Sequence, residues 1–270
     1  MDLDIPTCKT ESMADHILDV WNAQAVRFGQ SHEASWGDLD MIGLEVEQIS
    51  KCIEHGKIVL DIGCANGFTT KLVASRVAPQ KVLAADFSPE MVVQARQYLS
   101  DVSAEEVSVF QSDIRSIDLP SDTVDFCYAI RTLINLPTWN DQIQGIEECL
   151  RVTKPGGKVL LSEGFWEPLV RLNALRQVLG LSSLVEHDFN RYLKQSRLES
   201  WLETRQYSYD LVEFSSLYYL GTRLARELAT AHESFPGYSN PINTEFANLA
   251  RKYPRCGGVG VQQLVVISKR

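Results

Sequence analysis

Residues 58–70 read IVLDIGCANGFTT. An apolar run meets Asp61, passes through Gly63, Cys64, Ala65, Asn66 and Gly67, and continues into residues that suit a helix. That order predicts a buried parallel strand, a tight turn and a helix start. Glycine adopts backbone angles that a Cβ forbids, and it lets a ligand approach the main chain. The chemistry on offer is therefore a seat for a nucleotide-like ligand. A dinucleotide wants G-x-G-x-x-G, with the third glycine packing helix on strand. Here Gly67 follows Ala65 by two residues rather than three, so a dinucleotide fits poorly.

The elements that would hold this turn alternate along the chain. Strands are predicted over 57–62, 81–85, 106–111, 124–130 and 157–163, with helices over 67–76, 88–100 and 139–152. Ser88-Pro89-Glu90 reads as a side-chain cap followed by proline in the first turn. Lys154-Pro155-Gly156-Gly157 ends a helix. The rhythm implies a Rossmann-like, doubly wound, mostly parallel seven-stranded sheet with helices on both faces, an α/β fold. Ahead of it, 1–56 reads as an N-terminal helical lid, with helical period over 12–28 and 39–54. The sheet motifs fill 57–163. Residues 164–258 read as a helical insertion, helical over 168–204 apart from 180–190, with a strand expected within 208–219. Residues 220–251 look helical and then loop-like, and 259–270 hold a final strand.

S-adenosylmethionine is the other ligand class for such a turn. It has no pyrophosphate to cradle, and its ribose offers two hydroxyls. An acid ending the second strand can accept both. Asp86 stands there, 23 residues after Gly63, and capping the next helix is its plainer role.

These segments together resemble the class I S-adenosylmethionine-dependent methyltransferases. VLDIGCANG at 59–67 looks like the first motif of that family, with Ala65 where glycine is commoner. AADFSPEMV at 84–92 is similar to the segment carrying the ribose-binding acid. SDIRSIDLPSDTVDFCYAI at 112–130 and LRVTKPGGKVLLSE at 150–163 resemble the adenine-contact and fifth-strand segments. The resemblance implies that Asp61 and Gly63 face the methionine end of the cofactor, with Ala65 and Gly67 in the same turn. It implies that Asp113 takes the adenine amino group and that Phe87 and Ile114 lie against the ring. Ile130, Arg131 and Thr132 would stand where cofactor and substrate meet. The segment before the sheet closes over the cofactor in similar enzymes, which makes Trp36 a cofactor contact; packing a helix on the sheet is its alternative. S-adenosyl-L-homocysteine would be the product.

Methyl displacement at a sulfonium has a neutral leaving group, so alignment supplies much of the rate. A hydroxyl acceptor also wants a base, whereas an amine needs only to be neutral. The candidate bases are Glu163 at the end of the fifth strand, His187 within VEHDFNRYL, and His32 in the loop before the sheet. A solvated strand-end acid is the alternative for Glu163, and an exposed loop for His187. Asp188, Asn190 and Tyr192 make a polar cluster with His187. Asn135 either orients a substrate group or caps a turn. Tyr218 and Tyr219 would face opposite sides of a strand. Arg223 and Arg226, about one helical turn apart, read as a solvated face.

The chain has 270 residues, 44% hydrophobic and 23% charged, with net charge −9. An acidic balance argues against nucleic acid as the main partner. No apolar run reaches the roughly 20 residues that span a bilayer, and MDLDIPTCKTES is no secretory signal. Six cysteines without a C-x-x-C pair point to reduced thiols in the cytoplasm. No metal-ligand spacing is present. The expectation is a cytoplasmic monomer or homodimer that moves a methyl group from S-adenosylmethionine to oxygen or nitrogen of a small molecule, a sugar or secondary-metabolite intermediate. The rivals are a non-catalytic S-adenosylmethionine-binding protein and a nicotinamide-dependent oxidoreductase.

Overall fold

The computed structural model describes residues 13–102, 104–229 and 237–270. The 1–12 part of the lid expectation, Cys8 and Pro236 lie outside them. One seven-stranded sheet runs in the order β3-β2-β1-β4-β5-β7-β6. Its strands are β1 (Ile58–Ile62), β2 (Lys81–Asp86), β3 (Glu106–Gln111), β4 (Val124–Ile130), β5 (Thr153–Gly164), β6 (Ser208–Glu213) and β7 (Gln262–Ser268). The first five pair in parallel, and β7 runs antiparallel to both β5 and β6. The strand order reverses between β1 and β4. At such a switch point the loops at the strands' carboxyl ends part and leave a crevice.

The strands alternate in what they bury. Val59, Val82, Phe126, Tyr128 and Leu160 pack on one face, with α2 (Leu39–Cys52) and α3 (Phe68–Val77). Leu60, Leu83, Cys127, Val159 and Leu161 pack on the other, with α5 (Trp139–Val152) and α7 (Gln195–Thr204). Period-two alternation of apolar residues on both faces is what a sheet covered by helices on both sides requires.

Local signals set the helix starts. Ser88 caps α4 (Pro89–Tyr98), its hydroxyl accepting from Met91 N at 3.1 Å with Pro89 in the first turn. Asp38 caps α2 through Met41 N at 3.2 Å. The Pro155-Gly156-Gly157 stretch differs from expectation. It lies inside β5, which begins at Thr153, and it absorbs a register shift against β4. A Cβ at Gly157 would sit 2.4 Å from Asp125 O, so the two chains close only over glycine there.

The post-sheet region follows its reading at first and departs from it further on. α6 (Trp166–Val178) and α7 are separated by the expected irregular stretch, and a short strand, β6, follows. Tyr218 and Tyr219 lie on α8 (Ser216–Leu220) rather than on a strand, and both are buried. A π-helical turn, Gly221–Ala225, leads into α9 (Arg226–Ala229), and α10 (Ile242–Lys252) occupies sequence that reads as loop. Arg223 and Arg226 are not a solvated face. Arg226 is buried, and the Arg223 side chain is 12% exposed and ion-paired with the fully buried Asp38.

Candidate active site

The turn after β1 carries the conformations its residues predict. Gly63 has φ 81° and Gly67 φ 82°, both in the left-handed region, and Ala65 joins them at φ 48°. A Cβ on Gly63 would lie 2.2 Å from Thr132 Oγ1, so the turn meets the end of β4 at a distance only glycine allows. A Cβ on Gly67 would lie 2.9 Å from Leu99 Cγ, so this glycine serves the packing of α3 against α4 and lines no cavity.

Asp86, ending β2, fastens the turn from beside it. Its Oδ2 accepts Ala65 N at 2.8 Å and its Oδ1 accepts Ser88 N at 2.9 Å. Burial pushes its carboxyl up to about 6 against these hydrogen bonds. Each carboxylate oxygen has a second acceptor site, so a diol can still be held. Asn66 ties the turn to the N-terminal segment, its Nδ2 donating to Gly29 O at 2.7 Å and Ser31 O at 2.8 Å. Ser88 Oγ donates to Asn22 of α1 (Met13–Phe28) at 2.6 Å. α1 is thereby held across the mouth of the crevice.

A cavity of about 830 Å³ opens at this point. Gly63, Ala65 and Asp86 line it, together with the apolar Phe87, Ile114 and Ile130 and with Asp113. Asp113 is engaged by its own turn: Arg115 Nη2 donates to it at 2.6 Å and Arg115 N at 2.8 Å. Asp61 does not reach this space. It is buried beneath the turn, where Thr70 Oγ1 donates to it at 2.6 Å and desolvation raises its carboxyl to about 7.

A second, larger cavity shares the wall formed by Trp21, Ser35, Arg131 and Asn135. Its lining is aromatic, with Trp36, Phe189, Tyr192, Tyr219 and Tyr238. Trp36 belongs here and not in the first cavity. It stacks under Arg131, whose Cζ lies 4.5 Å from the ring centroid, and meets Tyr238 edge-on at 6.1 Å. Arg131 has φ 54° at the end of β4 and forms an ion pair with the fully buried Glu45. Asn135 Nδ2 donates to Arg131 O at 2.9 Å, so Asn135 holds that strand end. Backbone strain of this kind persists where surrounding bonds over-determine it.

The three candidate bases are placed very differently. Glu163 is fully buried, neither solvated nor free. Its carboxylate accepts the main-chain N–H of Thr132 at 3.0 Å, Leu133 at 2.9 Å and Ile134 at 3.3 Å. Burial raises it to about 7. With its oxygens committed to the loop after β4, it is a positioning residue. His32 packs on Phe68 at 5.6 Å and lines neither cavity. His187 stands exposed at the rim of the second cavity, stacked on Phe189 at 5.6 Å, and Phe189 meets Trp21 at 5.9 Å. Among the described residues no cluster of His, Cys, Asp or Glu could hold a metal ion.

Sequence reasoning passes over Glu45 and Asp38. Glu45 interrupts the apolar stripe of Met41, Ile42, Leu44, Val46 and Ile49, and a charge on a helix's buried face is a signal that a partner awaits it.

Residues 59–157 match the family model of a methyltransferase domain. They form a class I methyltransferase domain. The lining of Gly63, Ala65, the Asp86 carboxylate and the apolar Phe87, Ile114 and Ile130 fits S-adenosylmethionine. A ubiquinone biosynthesis O-methyltransferase of Pseudomonas savastanoi is 30% identical over 149 residues, 54% of this chain and 62% of that protein. The chain thus covers less than two thirds of that relative's length. The fold matches phosphoethanolamine N-methyltransferase 1 of Haemonchus contortus at a TM-score of 0.62, with 15% identity over 96% of this chain and 49% of that one. It also matches the methyltransferase in the Haloferax volcanii Trm112 activator complex at 0.60, with 17% identity over 92% and 96%. At these identities the structures show that the methyltransferase domain has its expected fold. No described helix is long and apolar enough to cross a membrane.

Proposed function

We propose that the chain transfers a methyl group from S-adenosylmethionine to oxygen or nitrogen of a small molecule. The observation that carries this reading is the pair of cavities meeting at Trp21, Ser35, Arg131 and Asn135. One has a floor suited to a nucleoside, and the other is a walled space for an acceptor. The bound donor supplies a methyl group on a positively charged sulfur.

The protein's own part is placement. Gly63 lets the donor approach the main chain, Asp86 accepts the ribose hydroxyls, and Phe87, Ile114 and Ile130 cover the adenine. Arg131, held by Glu45, marks the boundary where the acceptor's nucleophile meets the methyl. α1 and the 184–192 segment flank the cavities, and fixed alignment of acceptor and donor supplies the rate. Of the three candidate bases, His187 alone lines a cavity, and it takes the proton of a hydroxyl acceptor. The concave, aromatic lining of the acceptor space supports a small molecule over a protein surface. An O-methyltransferase relative favours oxygen as the receiving atom.

Calorimetric titration with S-adenosylhomocysteine and with NAD tests the reading, followed by S-adenosylhomocysteine release from S-adenosylmethionine across an acceptor panel. Binding of NAD alone would sink it. Binding of S-adenosylhomocysteine without turnover on any acceptor would favour a non-catalytic binding protein. With a hydroxyl acceptor, His187→Ala should lower kcat by about 100-fold and leave S-adenosylhomocysteine affinity unchanged.

A further inference from the structure

The second cavity contains polar atoms that the protein leaves unmatched. Arg223 Nη1, Asn190 Oδ1, Asn135 Oδ1 and Gln24 Oε1 are buried without a hydrogen-bond partner among the described residues, and all four side chains line this one cavity. Buried polar atoms nearly always find partners, and each one left alone is costly. Convergence on a single cavity marks them as groups awaiting a ligand.

Arg223 is the most constrained of the four. Its Nη2 donates to Asp38 at 2.8 Å, and the rings of Tyr219 and Tyr238 flank the guanidinium at 5.8 and 5.3 Å. It rides on the π-helical turn, whose first residue, Gly221, packs so closely on Phe246 that a Cβ there would lie 1.9 Å from the ring. Such turns displace a side chain from its helical register and recur at functional sites. The charges are asymmetric about the wall. Arg131 and Arg223 line the cavity, while their counter-ions Asp38 and Glu45 are fully buried behind it. Among the described residues the cavity's one lining carboxylate is Glu33, which is exposed. A basic wall inside an acidic chain selects an anion.

We propose that this cavity takes a small hydroxylated ring carboxylate, its carboxylate bound by Arg223, its ring against the aromatic wall, and its hydroxyls donating to Asn135, Asn190 and Gln24. This deepens the methyltransferase reading, on which it rests for the fate of the bound acid.

The test is calorimetric titration of the full chain, with and without saturating S-adenosylhomocysteine, using matched acid and neutral probes. One pair is 3,4-dihydroxybenzoate and 3,4-dihydroxybenzyl alcohol; the other is glucuronate and methyl glucoside. The pairs separate an aromatic acid from a sugar acid. In one pair the acid should bind about tenfold tighter or more than its neutral partner. Arg223→Lys keeps a cation beside Asp38 and removes the second nitrogen, so it should erase that preference without changing S-adenosylhomocysteine affinity. Asn190→Ala should weaken acid and neutral probes alike. Equal affinity within both pairs, no binding of any probe, or an intact preference in Arg223→Lys overturns the proposal. If Arg223→Lys fails to fold by circular dichroism, unchanged acid affinity in Asn190→Ala overturns it instead. Failure to bind S-adenosylhomocysteine refutes the methyltransferase reading separately, because the acid titration is read in its absence too.

Discussion

The carboxylate of Asp86 accepts the main-chain N–H of Ala65 at 2.8 Å, across 21 residues of chain. One side chain thus fastens the glycine turn and lines the first cavity beside it. Asp86→Ala should weaken S-adenosylhomocysteine binding on the order of 100-fold, the loss of two charge-assisted hydrogen bonds. Asp86→Asn should lose less. Wild-type affinity should also fall as pH drops below about 6, where this carboxyl gains its proton. Unchanged affinity in Asp86→Ala, measured by calorimetry, would remove Asp86 from the ribose site.

Glu163 separates a positioning role from a catalytic one. Its carboxylate satisfies three main-chain donors of the loop after β4. Glu163→Ala would leave those buried N–H groups unmatched and should cost about 1–3 kcal/mol, read as a lower denaturant midpoint at constant slope. Glu163→Gln keeps an acceptor, and its kcat should stay within about tenfold of wild type. A collapse of kcat in a folded Glu163→Gln with unchanged KM would show that the carboxylate itself takes part in the chemistry.

Gly63→Ala should be among the most damaging small substitutions. It puts a Cβ 2.2 Å from Thr132 Oγ1 at φ 81°. The backbone strain alone is worth about 1–3 kcal/mol. Thr132→Ala in the same chain removes the Oγ1 and Cγ2 contacts but keeps a Cβ at 2.8 Å and leaves the strain, so a double-mutant cycle should show partial rescue. Ala65, already at φ 48°, should accept glycine with little change in Tm. Additive losses for Gly63→Ala and Thr132→Ala would contradict this contact.

Three buried carboxyls set a pH trend in stability. Asp61 and Glu163 are raised to about 7 and Asp86 to about 6, in each case chiefly by burial. A carboxyl raised on folding holds a proton that the unfolded chain has released. Between its ordinary value near 4 and its raised value, the folded state binds more protons, so stability falls as pH rises. Ligand-free protein should therefore have a higher Tm at pH 5.5 than at pH 8, and Asp61→Asn should flatten that slope. A Tm that is level or rising across the interval in calorimetry would show that these groups are not raised.

The segment 57–163 was legible because its signals are short. A strand reads from a short apolar run, as in Ile58-Val59-Leu60, and a helix start reads from Ser88-Pro89 at one position. Past Glu163 the reading weakened. Tyr218 and Tyr219 suit a strand by composition, yet they lie on α8, because packing against α2 and α10 overrides local preference.

The turn and strand ends that line the first cavity follow from the sequence by itself, since Gly63, Ala65, Asp86 and Ile114 stand at positions that their neighbours in the chain specify. The second cavity was decided only by the tertiary structure. Arg223 meets Asp38 across 185 residues and Arg131 meets Glu45 across 86, and these pairings determine which charges are spent and which face a ligand. Backbone conformation is set over a few residues. The polar balance of a cavity is set by whichever distant groups folding brings within hydrogen-bond reach.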